Sequence, residues 1–406
     1  MNKKIVFITS SFPFGKSEVW ATNEINSFIK LGNEITIIPR TGKGKIINKD
    51  AVKFTSNLID LPFLNWPIFV FLLRTILFKP FLFLRLLIEN IKQSNTIIDF
   101  IKGLIILPKS LFLAKILKSK NIDHIHSVQT TSIAFMAFVL STILKVPWSY
   151  TLHTSETVNS KYKRSILFQS RSASMCRTIS QRTANDLSNF IGTSLSKKVV
   201  KVHLGVDVTV SRKAKSFVNN SFTIVTPAEL TTRKGHIYAI EVSKKLVDMG
   251  ITNFEWFFYG SGPLLNELQE KVKELNLINH CYFPGNIDHH QLLSKYKNNN
   301  VDIVVISSIS TDVPEGIPVS LMEAMSFKIP VIATDCGATR ELVNGKSGIL
   351  VDEKDPEAVL NAIIEFINNP EFTRKIGNNG RDKVMQDFDT LKTSSDLNKL
   401  FLTSGG

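Results

Sequence analysis

The chain has 406 residues, 43% hydrophobic and 21% charged, which excludes wholesale disorder and predicts two domains of about 200 residues each. Its three cysteines form no C-x-x-C pair, so they give no disulfide or metal framework and favour a reducing, cytosolic compartment. The net charge of +14 lies in the first half: 28 Lys and Arg against 11 Asp and Glu through Asp207 give +17, and 21 against 24 afterwards give −3. That half is expected to face an anionic partner, either nucleic acid or a membrane surface.

The first half alternates strand and helix patterns. KIVFITS predicts a first strand rather than a signal peptide, because its apolar run extends only from Ile5 to Ile8. A helix pattern follows in SEVWATNEINSFIKLG and ends at Gly32. NEITIIP, IDHIHSV and PWSYTLH predict further strands, so this half is expected to form an α/β domain.

A hydrophobic insertion at about residues 58–118 interrupts this pattern. Residues 61–87 read LPFLNWPIFVFLLRTILFKPFLFLRLL, and the longest charge-free run, 61–73, falls short of the about 20 apolar residues that span a bilayer. Two interpretations stay open: a helix lying in the lipid headgroup layer, or a pair of buried helices starting at Pro67 and Pro80. The N-terminal cations favour membrane contact, and the absence of a groove-reading motif argues against nucleic acid.

The second half repeats the alternation. FTIVTPA, FEWFFYG, HCYFPG, VDIVVISS, IPVIATD and SGILVD are apolar runs of strand length separated by helical patterns, as in a parallel sheet covered on both faces. The polar stretch DVTVSRKAKSFVNNS, from Asp207, predicts the linker. The sequence therefore predicts an α/β protein with two doubly wound, Rossmann-like domains facing a central cleft, where ligands bind at the carboxyl ends of the strands.

A glycine-containing loop, YGSGP, follows a predicted strand of the second half. Gly260 and Gly262 open a helix there, so their backbone amides could meet a phosphate. The third glycine of the dinucleotide fingerprint is missing, which argues against a nicotinamide oxidoreductase. A tight strand-to-helix turn explains the two glycines equally well.

Two carboxylates, Glu315 and Glu323, stand eight positions apart in PEGIPVSLMEAM. Spacing alone is uninformative, because Glu357 and Glu365 repeat it in an ordinary amphipathic helix. The context distinguishes the first pair: Glu315 follows a strand and its loop, and Glu323 lies on the second turn of the helix that begins after it.

The turn between the two carboxylates is suited to an anion. Gly316 permits close approach of the backbone, and Pro318 fits a first helical turn. The amides near Val319 and Ser320 precede the first intrahelical hydrogen bonds. One carboxylate can then accept hydrogen bonds from sugar hydroxyls on one side of a diphosphate, and the other from ribose hydroxyls beyond it. The pattern indicates a nucleotide-sugar site.

Several blocks follow one another in a characteristic order. They are SFPFGKSEVWATNEI, LHTSE, HLGVD, RKG, YGSGP and PEGIPVSLMEAMSFKIPVIATDCGATRELV. Over nearly the whole chain, this order resembles the retaining GT-B glycosyltransferases of family four, the glycosyl transferases group 1. The last block is similar to the family's signature of two glutamates with seven residues between them. The first is most similar to members that build exopolysaccharide or other surface glycans.

The resemblance implies roles for individual residues. Glu315 matches the glutamate beside the transferred sugar, Glu323 the glutamate on the ribose, and Lys234 the lysine on the diphosphate. Gly15 matches the glycine whose backbone approaches the diphosphate, and His153 the histidine on the acceptor side. The expected catalytic residues are His153 and Glu315. The expected donor-binding residues are Gly15, Arg233, Lys234, Gly260, Gly262, Gly316, Ile317, Pro318, Val319, Ser320 and Glu323.

One position departs from the family's pattern. The family has an arginine about five residues before the lysine, whereas this chain has Glu229. Either Arg233 supplies the second cation from beside Lys234, or activity is weakened.

The resemblance implies a hexosyltransferase that acts with retention at the cytoplasmic face of the membrane and requires neither metal nor other cofactor. Its expected partners are a nucleotide diphosphate sugar, a glycan or lipid-linked acceptor, and a membrane surface contacted peripherally, with no nucleic acid. Two alternatives stay open: a nucleotide-sugar epimerase on the same fold, and a catalytically poor subunit that binds nucleotide sugar for a partner enzyme. Glu229 is the feature that favours the second.

The expected domains follow from the linker. Residues 1–206 would form the acceptor-binding domain with its hydrophobic insertion, and 207–385 the nucleotide-sugar-binding domain. Residues 386–406 are expected to form a C-terminal helix that packs back on the N-terminal domain.

Overall fold

The computed structural model describes residues 2–14, 18, 20–42, 46, 49–154, 162–212, 221–311 and 315–403. The chain forms two compact units. The N-terminal unit comprises Met1–Leu204 together with Leu391–Gly406, and the C-terminal unit comprises Gly205–Thr390.

The N-terminal unit is built on a parallel sheet of six described strands in the order β2-β1-β3-β4-β5-β6. They are β1 (Lys4–Thr9), β2 (Glu34–Pro39), β3 (His124–Ser127), β4 (Trp148–Leu152), β5 (Met175–Thr178) and β6 (Val199–Lys201). The first four are the predicted strands. Strand β5 was not predicted, because it is only four residues long and contains Arg177, which is buried and paired with Glu24 at 2.6 Å.

Helices connect these strands. They are α1 (Ala21–Lys30), α2 (Trp66–Phe78), α3 (Pro80–Gln93), α4 (Ile97–Leu117), α5 (Ser132–Leu144), α6 (Lys163–Ser172), α7 (Gln181–Ile191) and α8 (Thr193–Ser196). Short 3₁₀ segments occur at Lys49–Asn57 and Lys118–Lys120. As predicted, α1 stops before Gly32, whose φ of 85° a residue with a side chain rarely adopts.

The predicted insertion forms α2, α3 and α4. Asn65 caps α2, and Pro67 and Pro80 occupy the first turns of α2 and α3. In the described part of the chain, no single helix is long and apolar enough to cross a bilayer, although α2 and α3, bent by 107° at their junction, reach that length and composition together. A fully buried helical pair is contradicted, since Trp66 and Phe81 expose 75% and 86% of their surface.

The C-terminal unit contains a second parallel sheet, whose described strands follow the order β12-β11-β10-β7-β8-β9. They are β7 (Phe222–Pro227), β8 (Phe254–Tyr259), β9 (Cys281–Gly285), β10 (Ile303–Ile306), β11 (Val331–Thr334) and β12 (Ile349–Val351). All six lie in the predicted segments. The central strands β10 and β11 are wholly buried, as their apolar sequences require.

The helices of this unit are α9 (His236–Asp248), α10 (Leu265–Glu274), α11 (His289–Lys297), α12 (Val319–Ser326), α13 (Pro356–Asn368) and α14 (Pro370–Asp387). Two 3₁₀ turns occur at Thr232–Lys234 and Thr339–Glu341. The final helix, α15 (Thr390–Thr403), belongs almost entirely to the N-terminal unit, where Phe401 stacks on the ring of His124 at 4.1 Å. Two sheets of parallel strands joined by helices confirm the predicted α/β class.

Candidate functional site

The two predicted diphosphate cations lie in the 3₁₀ turn Thr232–Lys234, after β7. Gly235 ends this turn with a φ of 60°, and a Cβ there would lie 1.9 Å from the carbonyl oxygen of Ser307. The position therefore requires glycine. The carbonyl of Arg233 accepts the amide of Ile309 at 2.8 Å. These contacts hold the cations against the residues that follow β10.

His236 closes the same turn from the start of α9. Its Nε2 lies 2.9 Å from the carbonyl oxygen of Glu229, and since a carbonyl only accepts, Nε2 donates the proton. Burial lowers the pKa of His236 to about 4, so the ring is neutral near pH 7. His236 was not among the residues predicted from the sequence, although its place directly after the R-K-G block was a signal. The Glu229 side chain itself is exposed.

The carboxylate of Glu315 lies against the cations of this turn. Its Oε2 accepts hydrogen bonds from Lys234 Nζ at 2.7 Å and Ser308 Oγ at 3.1 Å. A guanidinium nitrogen of Arg233 lies 3.8 Å from the same oxygen. The Glu315 side chain is only 9% exposed, so these charges interact with little screening by water. The residues predicted to contact the sugar and the diphosphate thus form one ion pair.

The backbone of Glu315 is fixed by the segment after β11. Its carbonyl oxygen accepts the amide of Ala338 at 3.2 Å. A Cβ on Gly337, whose φ is 62°, would lie 1.9 Å from that oxygen. Glycine at 337 is therefore required for this contact, which positions the carboxylate.

Helix α12 begins at Val319, one residue later than predicted. Pro318 is its N-cap, with an extended ψ of 114°, and accepts the amides of Leu321 and Met322. The prediction that Pro318 lies in the first helical turn is wrong by this one residue. The amides of Val319 and Ser320 precede those two donors, at the positive end of the helix dipole.

Gly316 and Ile317 join Glu315 to this helix. Ile317 is 4% exposed and packs in the core with Leu321 and Met322. Its side chain therefore anchors the turn, and its backbone is the part left for contact with a ligand.

Glu323 lies on the second turn of α12, as predicted. Its Oε1 lies 2.7 Å from Nε2 of His289, the first residue of α11. His289 was not predicted from the sequence, because it stands 34 positions from Glu323 and no local pattern joins the two residues. The ring restricts one carboxylate oxygen, so a hydroxyl arriving at Glu323 must share that oxygen with His289 or use the other.

The glycines of YGSGP pack against the residues after β7. A Cβ on Gly260 would lie 2.0 Å from the carbonyl oxygen of Ala228, and one on Gly262 would lie 2.3 Å from that of Leu230. The amide of Leu230 donates to the carbonyl oxygen of Ser261 at 3.0 Å. Close backbone packing therefore accounts for both glycines, and a phosphate contact by this loop stays a prediction.

His153 follows β4 in the N-terminal unit. Its Nε2 donates to the carbonyl oxygen of Val128 at 2.8 Å, and its ring packs on Trp20 with centroids 4.8 Å apart. Burial lowers the pKa of His153 to about 4. The ring is therefore neutral near pH 7, and its Nδ1 carries a lone pair that can accept a hydrogen bond.

Gly15 lies outside the described residues, but Glu18 shows how the segment after β1 is held. The buried Glu18 carboxylate accepts the amides of Ser10, Ser11 and Phe12, each at 2.9 Å. Glu18 had no role predicted from the sequence. A carboxylate that satisfies three consecutive amides fixes the backbone of residues 10–12.

Among the described residues, no group of three or more His, Cys, Asp or Glu side chains has a metal-binding arrangement.

The C-terminal unit is similar to a known protein family. Residues 207–383 match the family model described as glycosyl transferases group 1. The match contains Lys234, Glu315 and Glu323, and it confirms the resemblance of these blocks to that family.

This chain spans about half the length of two curated relatives that it matches. A putative colanic acid biosynthesis glycosyltransferase, WcaL of Salmonella typhimurium, is 32% identical over 51% of this chain and 52% of its own. An Escherichia coli protein named UDP-Gal:alpha-D-GlcNAc-diphosphoundecaprenol alpha-1,3-galactosyltransferase is 22% identical over 52% of each chain.

Solved structures with the same architecture cover nearly the whole chain. Anabaena HepE, crystallised in complex with UDP-glucose, superposes with a TM-score of 0.73 over 98% of this chain and 99% of its own. The identity is only 17%, so this likeness shows the fold alone. It confirms the predicted GT-B class.

Proposed function

We propose that this protein is a retaining hexosyltransferase that uses a nucleotide diphosphate sugar and glycosylates a hydroxyl of a glycan or lipid-linked acceptor. The observation that carries the proposal is the buried Lys234–Glu315 pair, with Glu323 on the helix that follows, within the residues that match the group 1 family model. The names of the relatives support the surface-glycan class of product, and UDP-glucose in the HepE crystals supports the class of donor.

The cations would stabilise the leaving diphosphate. Negative charge grows on the nucleoside diphosphate as the glycosidic bond breaks, and Lys234 and Arg233 stand where they can oppose it. Amides at the start of α12 add partial positive charge. Glu315, released in part from Lys234 by the incoming phosphates, would accept hydrogen bonds from hydroxyls of the transferred sugar.

Two further residues would hold the substrates. Glu323 would accept hydrogen bonds from the ribose, beside His289. His153 would accept one from the acceptor hydroxyl through Nδ1, since its Nε2 proton is engaged by Val128. In this proposal the acceptor attacks from the face that the diphosphate leaves, and a diphosphate oxygen takes its proton. That course retains the anomeric configuration and requires no metal.

The test is an assay of purified protein with a panel of nucleotide sugars. Slow release of nucleoside diphosphate without acceptor, insensitive to EDTA, is the expected result, and NMR of the glycosylated product should show the anomeric configuration of the donor. Conversion of the donor sugar into its epimer would instead favour the epimerase. A nucleotide sugar bound without any turnover would favour the binding subunit, for which the exposed Glu229 is the supporting observation.

We also propose that α2, α3 and α4 contact the inner face of the cell membrane. Exposed apolar side chains lie along all three helices, among them Trp66, Phe78, Phe81 and Ile97. A groove of about 690 Å³ beside α3 and α6 is lined by apolar side chains and by four cations, Arg85, Lys92, Arg164 and Arg171, of which Lys92 pairs with Glu89. Such surfaces suit the acyl chains and anionic headgroups of a bilayer.

A further inference from the structure

We infer that a polar cavity in the N-terminal unit binds the phosphate group of an amphiphilic, lipid-linked acceptor. The inference rests on the proposed function, because it assigns a site to the acceptor of that reaction. The cavity has a volume of about 80 Å³, and its lining includes Arg40, Asn95, Asp99, Lys102, Thr131 and Ser132. This volume is several times the about 15 Å³ that one water needs, so a larger polar group fits.

Arg40 provides the first argument for an anion. It directly follows β2, and its guanidinium donates to Ser132 Oγ at 2.9 Å and approaches Ser10 Oγ at 3.5 Å. Its Nε is buried without a hydrogen-bond partner. Among the described residues, no carboxylate forms an ion pair with it. The guanidinium lines the cavity without an opposite charge, which a phosphate there would supply.

The start of α5 provides the second argument. Its N-cap, Thr131, has a φ of 72° and makes no side-chain hydrogen bond to the helix. The first amides of this 13-residue helix therefore lack a capping side chain, and the dipole places partial positive charge there. Thr131 and Ser132 line the cavity together with Arg40, so the guanidinium and the helix end face one space.

The charge balance at the cavity favours an anion. Lys102 is exposed on α4 and contributes a second cation to the lining. Asp99 is the opposing charge, but its carboxylate already accepts the backbone amide of Thr96 in the capping box that starts α4. Two cations and a helix end therefore face one carboxylate that is already engaged.

The position of the cavity indicates an amphiphile rather than free phosphate. On one side lie the end of α3 and the start of α4, where Ile91, Ile97, Ile98 and Ile101 are exposed. On the other side Arg40 follows β2 and Thr131 follows β3, at the carboxyl edge of the sheet from which His153 also extends. A lipid chain on the isoleucines and a phosphate in the cavity would direct the attached glycan toward this edge.

Farnesyl diphosphate is a suitable probe, measured by calorimetry on the full chain with saturating UDP to occupy the donor site. We expect its affinity to exceed that of inorganic diphosphate or of farnesol by about tenfold or more, because only farnesyl diphosphate carries both an anionic diphosphate and an apolar chain. Lys102→Ala and Arg40→Gln should each weaken its binding about tenfold. The matched control is Lys118→Ala at the far end of α4, which should leave binding unchanged.

The outcomes separate this site from the donor site. If the protein binds UDP but does not bind farnesyl diphosphate, the inference is overturned and the proposed function stands. If it binds farnesyl diphosphate but does not bind UDP, the result supports the cavity and counts against the proposed donor. Equal loss of affinity in Lys118→Ala, or full displacement of the probe by phosphatidylglycerol vesicles, would show general headgroup attraction and overturn it. Should Arg40→Gln fail to fold, as judged by UDP binding and thermal unfolding, the exposed Lys102 variant still decides.

Discussion

The carboxylate of Glu315 meets a lysine, a serine and an arginine in a largely buried position. Glu357, which begins the other pair with the same spacing, meets Lys245 on an exposed surface. Surface ion pairs contribute little because water screens them, whereas buried charges must be matched. Environment, and not spacing, therefore distinguishes the two glutamate pairs.

Glu315→Gln should lower turnover by about 100-fold or more, because a preorganised charge at the reacting sugar is lost. Affinity for nucleoside diphosphate should stay the same or rise, since Lys234 no longer shares its charge with a carboxylate. Steady-state kinetics and calorimetry measure the two effects. The matched control, Glu357→Gln, should be near neutral in both. Normal turnover in Glu315→Gln would contradict the assigned role.

Arg233→Ala and Lys234→Ala test which cations hold the diphosphate. Each should raise the Kd for nucleoside diphosphate by about tenfold or more, as expected for loss of a charge-assisted hydrogen bond, while the Kd for the nucleoside changes little. A titration with both ligands gives the comparison. An equal loss for the two ligands would mean that the turn itself has been disrupted.

At the scale of elements, α2 and α3 bury only one stripe each. Ile68 and Thr75 are the buried residues of α2, and Leu86, Asn90 and Gln93 are those of α3. Large apolar side chains on both helices are nevertheless exposed, among them Leu77, Phe78 and Phe81, and such a group is typical of an interaction surface.

Replacement of Trp66, Phe78 and Phe81 by Ser should release the protein from anionic vesicles without lowering its thermal stability. Apolar burial persists in salt whereas headgroup attraction is screened, so wild-type binding should weaken but persist at high salt. Vesicle sedimentation and thermal unfolding test both points. As a control, Ile68→Ser on the buried stripe should destabilise the unit. Unfolding of the triple variant would show that these rings are core residues.

At the scale of the whole molecule, buried neutral histidines connect stability to pH. Burial lowers the pKa of His124 to about 3, and those of His153 and His236 to about 4, from an ordinary 6.5. As pH falls below 6.5, the unfolded chain binds protons that the folded chain does not. The contribution of these histidines to stability is therefore fully present above about pH 6.5. It is lost progressively as the pH falls from 6.5 to about 4 for His153 and His236, and to about 3 for His124.

The free energy of unfolding should accordingly fall between pH 7 and pH 5, by at most about 1.4 kcal/mol per pH unit for each such histidine. Urea titrations at several pH values give the slope. His236→Gln should reduce that slope, because one of the titrating groups is gone. A stability that does not change over this range would contradict the assignment of these rings as neutral.

The last helix, α15, contributes a side chain to the core of the N-terminal unit, and a substitution there tests whether its loss affects that unit alone. Phe401 is 1% exposed and stacks on His124 and Phe28. Phe401→Ala should destabilise the N-terminal unit by about 3–5 kcal/mol, as for other buried aromatics. Protection of β3 amides in hydrogen exchange should fall, and that of β10 amides should change far less. Equal loss in both strands would contradict this view of two separate cores.

The long apolar strands were predictable because their sequence pattern is local. Runs such as VDIVVISS and IPVIATD can be stable only when covered on both faces, and this requirement alone indicates a parallel α/β sheet. Strands β5 and β6 carry no such pattern. The partner that neutralises Arg177 in β5 is Glu24, which lies far away in sequence.

The sequence by itself determined the class of fold, the two glutamates, the lysine turn and the apolar character of the insertion, since each depends on residues close together in the chain. Only the tertiary structure decided that Lys234 pairs with Glu315, that His289 meets Glu323 and that Arg40 faces the start of α5. These contacts join residues 34 to 92 positions apart. Local propensity carries no information about such distances; the packing of strands and helices brings these charges together.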